Sequence, residues 1–280
     1  MRPVPTAFHI GPVEFHTYGI GLAIAFYVAW RYLVARTAAR GHPTGWMVGF
    51  GIWTVAAALV GARLFHVLTH LSAYTSQPLQ ALAVWHGGLA SFGGLLFAVP
   101  VALWIARRNC PEVGVLEGLD IAMPALAAGW AIGRLLGPQL MVAGGGHRTT
   151  QWFGMYYAGQ AGRRIPVPII QAIEDALLLV LLLVVEHQLD AIAARHAQAA
   201  APHGALTAIA MVVWGIARGL DERLWLGQDG HLGSLLVQAA GVALVVGGVV
   251  IGVGALRRWL AFARTPAPPG VGDPARLSGP

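Results

Sequence analysis

Seven apolar stretches, each near the length needed to cross a bilayer, occupy most of this 280-residue chain, at about 18–36, 46–66, 87–106, 117–137, 168–187, 205–220 and 232–256. A spanning helix needs roughly 20 mostly apolar residues, because in hydrocarbon the backbone must satisfy its own hydrogen bonds. The sixth stretch is the shortest and turns polar at its end. The pattern predicts an all-α polytopic membrane protein with about seven transmembrane helices. Charged residues make up only 11% of the chain, against roughly 25% in an ordinary soluble domain. The links between spans are short, so residues 1–264 are expected to form a single integral membrane domain. Residues 265–280 carry five prolines and are expected to be a disordered tail. Met1 to Thr17 lacks the basic and then apolar run of a cleavable signal, so the first span is expected to direct insertion.

Orientation follows from arginine, the only basic residue besides histidine: the chain has eighteen Arg and no Lys. Basic residues are retained in short cytoplasmic loops during insertion. With the N-terminus outside, the inner segments hold ten arginines: Arg31, Arg36, Arg40, Arg107, Arg108, Arg195, Arg257, Arg258, Arg264 and Arg276. The outer segments hold five: Arg2, Arg148, Arg163, Arg164 and Arg223. An N-out, C-in topology is therefore expected, with a longer external loop between spans four and five. The basic balance, net +6, is assigned to these loops and to anionic lipid rather than to nucleic acid. The one cysteine, Cys110, permits no intramolecular disulfide and is expected to be an inert loop thiol.

In that topology the polar residues of the spans gather near the outer face. Tyr18 opens span one, Arg63 lies near the end of span two, and His86 with Gly87, Gly88, Gly93 and Gly94 opens span three. Arg134 closes span four, Glu174 begins span five, and Arg218 lies near the end of span six. Arginine at a helix centre costs roughly 2.5–3.5 kcal/mol on insertion scales, and intramembrane charges usually face a cavity and serve function. Arg63 is close enough to the interface that snorkelling explains it equally well. Arg134, within Gly133-Arg134-Leu135, and Arg218, on one helix face with Trp214, are harder to explain that way. A guanidinium donates two parallel hydrogen bonds and stays charged, so a pair of them in an outer-leaflet cavity suits a phospholipid phosphate. The glycine pairs allow close approach of a helix or a lipid. His86 is a candidate base or a hydrogen-bonded bystander. Glu174-Asp175 either pairs with an arginine or marks the interface. No cofactor and no metal site is expected.

Several of these segments, in this order, resemble the prolipoprotein diacylglyceryl transferase family. Ile10-Gly11-Pro12 with His16-Thr17-Tyr18-Gly19 resembles the family's entry into span one, and Gly61-Ala62-Arg63-Leu64-Phe65 its Gly-x-Arg-Leu-aromatic stretch. Trp85 to Gly94 resembles its GG-x-x-x-x-GG segment. Gly133-Arg134-Leu135 through Gly145 resembles the two ends of its signature, followed by Thr149 and Phe153-Gly154. Trp214-Gly215-Ile216-Ala217-Arg218 is similar to its Tyr-Gly-x-x-Arg.

The resemblance implies a bacterial inner-membrane enzyme that moves a diacylglyceryl group from phosphatidylglycerol to the thiol of a lipobox cysteine on a prolipoprotein, leaving glycerol phosphate. Arg134, Arg218, Tyr18 and His86 are then the expected catalytic residues. Arg63, Gly87, Gly88, Gly93, Gly94, Gly145, Trp214 and Glu174 are the expected substrate-binding set. The sequence departs from the family where protons are handled. Phe92 stands where the family often has His, Gly137 where its signature has Asn, Val142 where it has Glu or Cys, and Pro138 enters a helix end. Trp214 donates but does not accept a hydrogen bond. His86, His147 and Glu174 are possible substitutes. A catalytically inactive relative that binds anionic phospholipid or lipoprotein precursors is the second expectation. A small transporter is disfavoured by the absence of visible repeats or broken midplane helices.

Overall fold

Each of the seven apolar stretches contains a long helix in the computed structural model, which describes residues 6–10, 13–69, 71–75, 78–82, 91–195, 202–226 and 232–264. The helices are α1 (Thr17–Ala39), α2 (Met47–Thr69), α4 (Ser91–Asn109), α5 (Val115–Leu136), α6 (Val167–Arg195), α7 (Ala205–Asp221) and α8 (Leu232–Arg264), with a single turn, α3 (Leu71–Tyr74), after α2. Five of them, α1, α2, α5, α6 and α8, are long and apolar enough to cross a membrane. At 17 residues, α7 falls short of that length, in keeping with its apolar stretch being the shortest in the sequence. Large apolar side chains such as Trp53, Val60, Leu96 and Val250 are more than half exposed, as lipid-facing residues are. The protein is a multi-pass helical membrane protein.

By its contacts the chain divides into two units, Met1–Leu33 with Leu116–Pro280, and Val34–Val115. In the second unit, α2 and α4 cross where neither backbone carries bulk. A Cβ on Gly61 would meet the Gly93 carbonyl, one on Gly93 would meet Phe65, and Gly94 faces Ala58 and Ala62. The Gly93–Gly94 pair is thus a helix-packing device of the small-residue kind.

In the first unit, α5, α6 and α7 share a core of Met123, Ala127, Leu178, Leu182, Leu206 and Ala210. On each helix the two residues lie four apart, so each helix turns one stripe inward. Ala127 and Ala210 are fully buried, and their small size lets α5 and α7 approach closely. On another face of α7, Gly215 packs against Gly241 of α8. The α1 helix runs against α5 in the opposite direction. Gly21 sits on Leu136, Ala25 faces Gly133 and Gly129, and Ala29 also touches Gly129.

The start of α7 is held from another helix. Gly204, at φ +109°, supplies no side-chain cap. Buried Asp120 of α5 does so instead, accepting from the amides of Gly204 (2.6 Å) and Thr207 (2.8 Å) and from the Thr207 hydroxyl (2.6 Å). A carboxylate placed here answers both the unpaired amides and the positive end of the helix dipole.

The link between α5 and α6 is a loop with two short strands, Met155–Tyr156 and Arg163–Arg164, paired antiparallel. Gln160 brackets Gly145, accepting from its amide (2.9 Å) and donating to its carbonyl (3.0 Å). Arg163 donates to the carbonyls of Gly154 (3.1 Å) and Trp152 (2.6 Å). Tyr157 is buried and donates to Gln139 (2.5 Å), and burial pushes its phenol up to about 12, so the donor stays protonated.

Candidate functional site

The stripes that α5, α6 and α7 turn toward one another change character in layers along the helices. Above the cap and the apolar core lies a layer of two indoles: Trp130 of α5 meets Trp214 of α7 with ring centroids 6.0 Å apart at 47°. The Trp214 Nε1 donates to Oδ1 of Asp175 on α6 (2.6 Å), which fixes that ring. One further turn along, four residues in each case, come Arg134 and Arg218.

The two guanidiniums end up at one level because the cap sets the register. Asp120 and Arg134 are fourteen residues apart on α5, and Gly204, whose amide Asp120 holds, is fourteen residues before Arg218. At 1.5 Å per residue both arginines stand about 21 Å from the shared cap. Their charges act on each other and on Asp221.

Around them stand four carboxylates. Asp221 is buried and takes a hydrogen bond from Gln171 of α6 on one oxygen (2.6 Å), while its Oδ1 is buried without a partner. Glu222 opens a π-helical turn, Glu222–Leu226, that continues α7, and it pairs with Arg218 at 3.2 Å. Asp175 and Glu174 act on the same charges from α6. Arg218 Nη1 is buried without a partner. Arg134 makes no hydrogen bond or ion pair among the described residues. Tyr18 joins from α1, packed beside Gly137 and within the field of Arg134. Both guanidiniums are half-buried, and donors that the protein leaves without acceptors, such as Arg218 Nη1, can bind the oxygens of an anion.

Of the residues singled out in the sequence, Tyr18, Arg134, Glu174 and Arg218 lie together in this layer, with Trp214 in the indole layer one turn away. Gly145 lies in the loop that follows, where Tyr157, Arg164 and Gln160 leave no room for a Cβ, so its service there is to the loop's own fold. Arg63 belongs to the second unit and is buried. It donates to the carbonyls of Ala81 (2.9 Å) and Gln80 (2.5 Å), and its guanidinium lies 5.4 Å from the centre of the Tyr74 ring. That arginine ties the chain after α3 back to α2. His147 lies exposed in the loop. His86, Gly87 and Gly88, like the tail 265–280, lie outside the described residues. Phe92 occupies the first turn of α4, and Val142 is exposed.

Three participants were not legible as such in the sequence: Gln171, Asp221 and Glu222. The available signal was Asp221-Glu222 three and four residues after Arg218, which places both acids on the arginine's side of one helix.

Fold and site together define a class: a multi-pass membrane protein whose helices hold two half-buried guanidiniums and several carboxylates in one layer. The chain belongs to the prolipoprotein diacylglyceryl transferase family, whose sequence model matches residues 5–258. It is 32% identical over 132 residues to the phosphatidylglycerol--prolipoprotein diacylglyceryl transferase of Synechococcus elongatus, covering 47% of this chain and 45% of that protein. It is 31% identical over 163 residues to the protein of that name from Oleidesulfovibrio alaskensis, covering 55% of this chain and 58% of the relative. The matched portion thus spans about half the length of these curated relatives.

Proposed function

We propose that this protein is a phosphatidylglycerol:prolipoprotein diacylglyceryl transferase of the bacterial inner membrane, oriented N-out and C-in. The observation that carries this reading is the pairing of Arg134 and Arg218 at one level on parallel helices, with hydrogen-bond donors of both left open. A phosphate diester headgroup bound there is neutralised, and the negative charge that grows on it as it leaves is stabilised.

The reaction this supports is displacement at a glycerol carbon. The thiol of the lipobox cysteine loses its proton, since the thiolate is the nucleophile. The sulfur pair forms the new S–C bond, the C–O bond to phosphate breaks, and its electron pair leaves on the phosphate oxygen of glycerol phosphate. Phe92 cannot take the proton, and the carboxylates of the charge layer supply acceptors instead. Asp221, with Oδ1 unpartnered beside both arginines, is our assignment for that role. Tyr18 and Glu174 contribute from neighbouring helices to the field around the phosphate.

The test is transfer from phosphatidylglycerol to a synthetic lipobox peptide by the purified chain, read as thioether product by mass spectrometry. Product that disappears with Arg134→Ala or Arg218→Ala supports the assignment. Absence of product from the wild-type chain, with phosphatidylglycerol still bound, favours the second reading: an inactive relative that holds anionic lipid or lipoprotein precursors. That reading draws on Phe92, Gly137 and Val142, none of which handles a proton.

A further inference from the structure

The indole layer beneath the arginines contains an asymmetry. The Trp214 N–H is committed to Asp175 at 2.6 Å, so this indole presents only its ring. The Trp130 ring, packed against it, has an N–H that makes no hydrogen bond among the described residues. Trp130 is 38% exposed, whereas Met123 and Ala127, its neighbours on the same stripe of α5, are 7% and 0% exposed. The stripe therefore opens at Trp130, one turn deeper than Arg134. An indole N–H within a span and without an acceptor is strongly unfavourable, because hydrocarbon offers none.

A bound diacyl lipid supplies one. With its phosphate on Arg134 and Arg218, its glycerol points into the membrane, and its ester carbonyls are the next oxygen atoms below. Four residues, about 6 Å of rise, separate Trp130 from Arg134 along α5, which is the scale of the path from phosphate to first ester carbonyl. We propose that Trp130 Nε1 donates to an ester carbonyl of the phospholipid held by the arginine pair, and so makes the site selective for acyl-ester over alkyl-ether lipids. The inference rests on the headgroup reading above and adds a second point of attachment to it. Two attachments, phosphate above and carbonyl below, fix the glycerol unit between them and restrict how its C–O bond faces the thiol. Trp214, held by Asp175, acts as the stop that keeps the Trp130 ring in place.

The experiment compares dipalmitoyl phosphatidylglycerol with its dihexadecyl ether analogue, as competitors for a fluorescent phosphatidylglycerol bound to the full chain in detergent. A single neutral hydrogen bond predicts that the wild type prefers the ester by roughly three- to tenfold. In Trp130→Phe the ratio falls to near one while ether-lipid affinity is kept, which also shows that the variant is folded. An ester preference that survives in Trp130→Phe, or a wild type without one, overturns the proposal. The headgroup reading is judged separately, by phosphatidylglycerol against phosphatidylcholine: a wild type indifferent to that change overturns the arginine assignment whatever the ester ratio shows.

Discussion

Asp120 of α5 accepts three hydrogen bonds from the start of α7, two of them from Thr207 at 2.8 and 2.6 Å, and this contact fixes the heights of Arg134 and Arg218. The cap and the charge layer occupy opposite ends of the same two helices. A shift of one residue in either helix would rotate its arginine by about 100° and raise or lower it by 1.5 Å.

Asp120→Ala is expected to destabilise the folded protein by about 1–3 kcal/mol, because two amides and a hydroxyl lose a buried acceptor. Thermal unfolding in detergent, followed by circular dichroism, measures this. Asp120→Asn, which keeps an acceptor oxygen, should be milder, and both should lower transfer activity through the arginine register.

Replacing Arg134 or Arg218 by Ala is expected to lower transfer by about 10²- to 10³-fold, the usual effect of removing one donor aimed at developing negative charge. Lysine should recover only part of this, since a point charge cannot make two parallel bonds to phosphate. Initial rates with phosphatidylglycerol and a lipobox peptide test both. An Arg134→Lys enzyme with wild-type rate would show that charge alone suffices.

Asp221→Asn keeps the shape of the side chain and its bond to Gln171 while removing its basicity. The expected outcome is a fall in kcat with little change in KM for the lipid, because the proposed site assigns lipid binding to the arginines and proton transfer to this carboxylate. A rise in KM with unchanged kcat would place Asp221 in binding and not in proton transfer.

Cys110 is 4% exposed, and burial, followed by the nearby Glu112 carboxylate, pushes its thiol up from the ordinary range. Thiolate is the reactive form, so maleimide labelling at pH 8 should be slow in the folded protein and complete after denaturation. Fast labelling in the native state would mean that this loop opens.

Gly93→Val is expected to lower the yield of folded protein, since a side chain there meets the Gly61 carbonyl and Phe65 across the α2–α4 crossing. Gly45, which has open space around its Cβ position, should accept alanine without such loss. Size-exclusion profiles of the two variants in detergent provide the comparison.

Much of the charge layer could be read from the chain alone, and the reason is energetic. An arginine in an apolar run is costly enough to stand out, so Arg134 and Arg218 were visible without coordinates. Asp221 and Glu222 were not, and Glu174-Asp175 stayed open between two readings, because acids near a helix end look the same whether they face headgroups or a buried cluster. Arg63 shows the converse. It is as unusual in sequence as the other two, yet its guanidinium is occupied by the Gln80 and Ala81 carbonyls, and only the path of the chain after α3 decides that. The Gly93–Gly94 pair likewise fitted a lipid or a helix equally well until Gly61 was found opposite.

The order and lengths of the apolar stretches determined that the chain is a bundle of long helices, since in a bilayer a backbone has no other way to satisfy its polar groups over such spans. The same one-dimensional pattern placed the arginines near helix ends. Which helices lie side by side, and therefore that Trp214 meets Asp175, that Trp130 meets Trp214, and that two arginines from distant segments share one layer, was decided by tertiary packing. These pairings depend on interhelix register and on small residues such as Ala127 and Ala210, and hydrophobic periodicity within one helix carries no information about the height of its neighbour.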